Sequence, residues 1–236
     1  MFRAEEFYAL RAGIAPRIGA ESDSSTSHFE LRPHLLGRLR VTGCRIAARS
    51  PRELRVNIGG RVPREVWHDS ITVFGRVPTG LHEVWLTLAA PSGEQLGFPA
   101  YLSVLFDDSP RATIEPWIAE GGAASHGQPA DSFVYVDNCL FGLMDADAAD
   151  DADADEVVAA VGEHLVHTQT PACVAPLSDP ELGDYVVVCR VRNGIYPVLA
   201  TRNTRREVTG LHIDFAIVGP RSRKDWWKAR HIHAHP

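Results

Sequence analysis

The sequence predicts a mainly β protein, an antiparallel β-sandwich or a partly open, barrel-like sheet with one or two short helices. Three observations point there. Short runs of alternating apolar residues recur, as in Leu54, Val56 and Ile58 or in Val84, Leu86 and Leu88. Turn residues such as Pro78-Thr79-Gly80 and Pro91-Ser92-Gly93 separate these runs at intervals of roughly 8–12 residues, as in antiparallel architectures. Helical periodicity is clearest over residues 155–166, where Val157, Val158, Val161, Leu165 and Val166 recur near the 3.6-residue period.

The elements follow in order. Residues 1–36 read as an extension: a short helix over residues 5–11 packing Phe7, Tyr8 and Leu10, then a flexible Gly/Ser linker over residues 19–27. The β domain is expected over residues 37–220. It opens with Leu39, Val41, Cys44 and Ile46, continues through residues 54–58 and 71–77, and then through the alternating run of residues 82–88. Residues 101–106 and 133–136 form further strands. Asn193-Gly194 is a hairpin signal between the apolar residues 185–191 and a returning strand over residues 195–201. Pro197 favours an edge or a bulge in that strand. Arg202 to Glu207 form a charged turn. In the last strand Leu211, Ile213, Phe215 and Ile217 share one face, and His212 and Asp214 the other. Residues 221–236 form a basic tail with Trp226-Trp227 and the alternating His231, His233 and His235.

Composition narrows the function. The 236 residues are 44% hydrophobic and 23% charged, which excludes a fibrous, collagen-like or wholly disordered chain. With 24 basic and 30 acidic residues the formal charge is -6, which disfavours general nucleic-acid binding. No apolar run reaches the roughly 18 residues of a membrane helix, so no membrane partner is expected. The opening residues lack the basic-then-apolar order of a signal peptide, so the cytoplasm is the expected location. Cys44, Cys139, Cys173 and Cys189 form no CxxC pair and read as buried free thiols.

Four segments in order resemble the bacterial family named DUF4241, whose function is unassigned. Residues 37–48 look like its opening hairpin, and Pro78-Thr79-Gly80 like its Pro-x-Gly strand start. Residues 136–145, containing Asp137-Asn138-Cys139 and Asp145, look like its central block. Gly194-Ile195-Tyr196-Pro197-Val198 with residues 211–215 looks like its closing hairpin. The resemblance spans residues 37–218 and implies a fold and a compartment, without a mechanism. It departs at Ser50-Pro51, Cys139 and Asn193, so two acidic positions of the family pattern are absent here.

Candidate chemistry rests on Asp137, Asp145 and Asp214, with His212 as a base beside Asp214 on one strand face. Converging carboxylates would hold a divalent ion such as Mg or Ca. The same side chains could instead fix turns by accepting backbone N–H groups, with Asp214 on a solvent face or paired to Arg. Residues 145–156 hold seven acids in twelve positions, yet Asp150 stands where a calcium loop needs Gly, so a solvated loop is expected. His164 and His167, three apart, and the tail histidines carry no recognisable site. No nucleophile elbow, phosphate loop or dinucleotide pattern is present. The leading expectation is a non-catalytic accessory or toxin-neutralising domain that binds another protein and needs no cofactor. The alternative is a divalent-metal-dependent hydrolase built on the clustered aspartates.

Overall fold

The computed structural model describes residues 7–17, 28–49, 72–94, 97–117, 133–136, 140–151, 171–176 and 185–218. In chain order the strands are β1 (Gly13–Pro16), β2 (His28–Val41), β3 (Arg45–Arg49), β4 (Thr72–Gly75), β5 (Gly80–Pro91), β6 (Phe98–Leu105) and β7 (Thr113–Pro116). Then come β8 (Phe133–Val136), β9 (Leu140–Asp145), the helix α1 (Ala146–Asp151), β10 (Ala172–Pro176), β11 (Tyr185–Arg190), β12 (Gly194–Arg202) and β13 (Val208–Asp214). The larger sheet has eight strands in the order β1-β2-β5-β6-β13-β12-β7, with β8 also pairing β12. The smaller has five, in the order β10-β11-β9-β3-β4. Every strand pair is antiparallel, as the alternating runs predict.

The main core lies between the sheets. Leu39, Val41, Val84, Leu86, Leu102, Val104, Leu211 and Ile213 come from the larger sheet, and Ile46, Phe74, Phe141, Leu143 and Val187 from the smaller. Period-2 alternation puts these residues on one side of each strand. Part of the other side of the larger sheet is covered as well. Phe29, Leu31, Ala89, Tyr101 and Leu199 form a second core there with Phe7 and Ala9.

Those two residues belong to a strap, not a helix. Leu10 has φ +62°, a left-handed conformation that no α-helix admits, and Arg11 N–H closes a turn on the Tyr8 carbonyl at 3.2 Å. Phe7 and Ala9 alternate like strand residues and lie on the sheet, and Leu10 N–H donates to Thr87 Oγ1 at 3.0 Å. The sheet also begins earlier than residue 37, because β2 starts at His28 and β1 pairs with it.

Two expected hairpins are sheet crossovers. β2 and β3 lie in different sheets, and so do β11 and β12. The chain changes sheet at Thr42–Cys44, where Cys44 has φ +58°, and again at Val191–Asn193. A third change, between β4 and β5, abuts the first: Val77 N–H donates to the Cys44 carbonyl at 3.0 Å. Alternation identifies a strand but not its partner, which is why both pairs looked like hairpins. Cys44 is exposed at its crossover, whereas Cys173 and Cys189 are buried free thiols as expected.

β12 and β13 do form the closing hairpin. Its turn is built on Asn203, whose Oδ1 accepts the N–H groups of Arg205 at 2.9 Å and Glu207 at 3.0 Å. Pro197 sits just before the β12–β13 ladder begins at Val198, so its missing N–H costs that ladder nothing. The turn at Pro91-Ser92-Gly93 also forms, with Gly93 at φ +86°. The linker at residues 19–27, the strand at 54–58, the helix at 155–166 and the tail at 221–236 lie outside the described residues.

Candidate functional site

His212 sits at the centre of the outer face of the larger sheet and is fully buried. It is not a solvent-facing base. Both faces of β13 are dry: Leu211 and Ile213 face the inter-sheet core, while the His212 ring meets the Phe7 ring edge-on at 4.9 Å. Its direct neighbour on β6 is Ser103. Nδ1 lies 2.9 Å from Ser103 Oγ and Nε2 lies 3.0 Å from Thr201 Oγ1. Thr209 Oγ1 donates to Thr201 Oγ1 at 2.9 Å, extending a buried chain across β6, β13 and β12. Both ring nitrogens are thus occupied by hydroxyls of the chain itself. A Cβ at Gly210 would stand 2.9 Å from His212 Nε2 and 3.1 Å from Thr201 Oγ1, so only glycine leaves the ring its place.

Burial pushes the His212 pKa well below 6.5, and the positive charge of Arg111 pushes it further the same way. The imidazole is held neutral. His82 is lowered too, by burial, against the opposing effect of the Pro78 carbonyl 2.7 Å from its Nε2.

Asp145 ends β9 in the smaller sheet, and only 3% of it is exposed. Its Oδ2 accepts the Thr42 N–H at 2.8 Å and also the Thr42 hydroxyl. Its Oδ1 faces the Asp147 N–H at 3.4 Å, in the manner of a helix cap. Asp147 pairs with Arg45 at 2.5 Å, and its carboxylate lies so close to Gly43 that a Cβ there would collide with it. The first part of the acidic run is therefore not a solvated loop. Asp145 is buried, residues 146–151 are helical, and both acids tie the Thr42–Cys44 crossover to α1. An acid ahead of a helix and another in its first turn suit the positive end of the helix dipole.

Asp214 ends β13 and is 5% exposed, so it is not on a solvent face. Its Oδ1 accepts the Ala216 N–H at 2.8 Å, bending the chain at Ala216, which has φ +55°. Asp137 lies outside the described residues, as do Cys139, His164, His167, His231, His233 and His235. The structure puts Asp145 and Asp214 on different sheets. Among the described residues no three His, Cys, Asp or Glu side chains gather as a metal site. His212 and Asp214 do share one face of β13, as their spacing predicts.

The outer face also carries a surface that sequence inspection missed. Leu35 and Leu81 are each 52% exposed and Phe98 44%. Leu35 lies directly opposite Trp85, Arg38 opposite Glu83, and Arg40 opposite Leu81. Trp85 is half-buried and donates from Nε1 to Glu83 Oε2 at 3.0 Å. Each residue alone looks like an ordinary strand position. Only the β2–β5 register gathers apolar and basic residues on one face.

Two outcomes are expected. Asp145→Ala strips the Thr42 N–H and hydroxyl of their acceptor and destabilises the fold by about 1–3 kcal/mol, measured by denaturant unfolding. Stability also falls with acidification. Because the folded pKa of His212 lies below that of the unfolded chain, protonation of the unfolded state draws the equilibrium away from the fold as the pH drops below about 6.5. The melting temperature is full above that pH and declines below it, and His212→Gln shows a smaller decline between about pH 7 and pH 5.5. An equal decline in the variant would assign the dependence to other groups.

Comparison with known proteins gives no relative: no family model matches the chain, and neither does any curated protein or any solved structure.

Proposed function

We propose that this chain is a non-catalytic domain of the cytoplasm that binds another protein, in an accessory or neutralising role. The observation that carries the reading is the outer face of β2 and β5, where Leu35, Trp85 and Leu81 alternate with Arg38, Glu83 and Arg40. Exposed aliphatic residues beside a half-buried tryptophan and arginines match the composition of protein interfaces. Two arginines against one glutamate favour a partner that offers carboxylates around an apolar centre. His212 and Asp145 support the reading from the other side, because the chain itself uses their polar atoms. Among the described residues no helix is long and apolar enough to cross a membrane.

The test is native mass spectrometry of the untagged chain purified gently from its host. The expected spectrum shows a second protein at fixed ratio, lost in Leu35→Glu while the melting temperature holds. A bare chain, or a partner retained by Leu35→Glu, would remove this face from the account. One stoichiometric divalent ion on a bare chain would favour a metal-dependent reading, with a ligand set that does not join Asp145 and Asp214, which lie on different sheets.

A further inference from the structure

A cleft of about 360 Å³ opens beside the strap. Phe7, Ala9 and Arg11 line one wall, and residues 107–111, between β6 and β7, line the other. Arg111 is half-buried there, and among the described residues it makes neither a hydrogen bond nor an ion pair. A guanidinium has five N–H donors, and removing it from water without acceptors is costly. A second guanidinium, Arg11, lines the same cleft, and the two repel. Burial is the larger cause of the lowered Arg111 pKa, Arg11 the next, and Asp108 opposes both.

The acids on the cleft wall do not supply Arg111 with an acceptor. Asp107 accepts the Ser109 N–H at 3.1 Å and the Ser109 hydroxyl, which fixes the loop. Asn203 Nδ2 adds a 3.3 Å bond to Ser109 Oγ. Asp108 lies close enough to be felt by Arg111 but forms no ion pair with it. Two arginines lining one cleft, with Arg111 half-buried and without an acceptor among the described residues, mark a place where an anion completes the structure.

We propose that this cleft binds a small carboxylate, held by Arg111 from the β6–β7 connection and Arg11 from the strap. The planar fork of a guanidinium matches a carboxylate through two parallel hydrogen bonds. A single negative charge suits the site better than a phosphate dianion, because Asp107 and Asp108 on the wall repel added charge. The volume fits a small metabolite rather than a polymer. Bound there, the ligand bridges the strap and the loop and so secures the cover over His212. The protein-docking face shares no residue with this lining, so either proposal can fail alone.

The experiment compares melting temperatures of the full chain in sodium acetate, sodium phosphate and sodium chloride at equal ionic strength and pH. The quantity read is the gain over chloride that Arg11→Gln and Arg111→Gln remove. Acetate is expected to raise the wild-type melting temperature by mass action, with most of that gain lost in both variants. Arg11 is exposed, so its variant stays folded even if Arg111→Gln does not. An acetate gain equal in wild type and Arg11→Gln, or no gain at all, overturns the site. A larger variant-sensitive gain from phosphate overturns the carboxylate class.

Discussion

Where a sheet is dry on both faces, as this one is along β13, it has to satisfy every polar group it buries, and in this protein that demand centres on one imidazole. His212 lies under Phe7 with hydroxyls at both ring nitrogens, Ser103 on one side and Thr201 on the other. A neutral imidazole has one donor and one acceptor, and a hydroxyl can serve either, so the chain closes whichever tautomer is present. Neutrality is what permits the burial, since a charged ring there would lack both water and a counterion. Gly210 leaves the space, and Thr87 takes the backbone N–H of Leu10 where the strap turns away. The strap, the outer core and the cleft beside Arg111 all depend on that arrangement.

The sheet changes follow a second logic. A chain that leaves one sheet for the other gives up its ladder at the crossing, and the freed N–H groups need acceptors. Thr42 finds one in Asp145, Val77 in the Cys44 carbonyl. Asp145 stands at the junction of β9 and α1, so one carboxylate holds a crossover, a strand end and a helix start together. The arrangement explains how an acid can be buried there: its oxygens already meet donors.

The sequence made the strands legible because period-2 alternation is a local signal. It made the β12–β13 hairpin legible too, because both strands alternate and a short polar turn joins them. It did not distinguish a hairpin from a crossover at residues 42–44 or 191–193, since pairing is decided by which face finds which sheet. The burial of His212 was not legible locally, because Phe7, which covers it, lies some 200 positions away in the chain. The strap itself was misread because Phe7, Tyr8 and Leu10 fit a helical face as well as a flat segment, and Leu10 gives no sign of its left-handed turn. Arg11 and Arg111 carried no local signal at all. They meet only because the strap crosses the sheet beside the β6–β7 connection.

The central claim is that His212 is a neutral structural pin under the strap, and nitrogen-edited NMR of the histidine rings tests it most directly. The account predicts that the His212 ring stays neutral and slow to exchange well below the ordinary histidine pKa of about 6.5. A His212 ring that gains its proton at the ordinary histidine pKa of about 6.5 would contradict it, because a ring that charges there is wet, and the strap would not be covering the sheet.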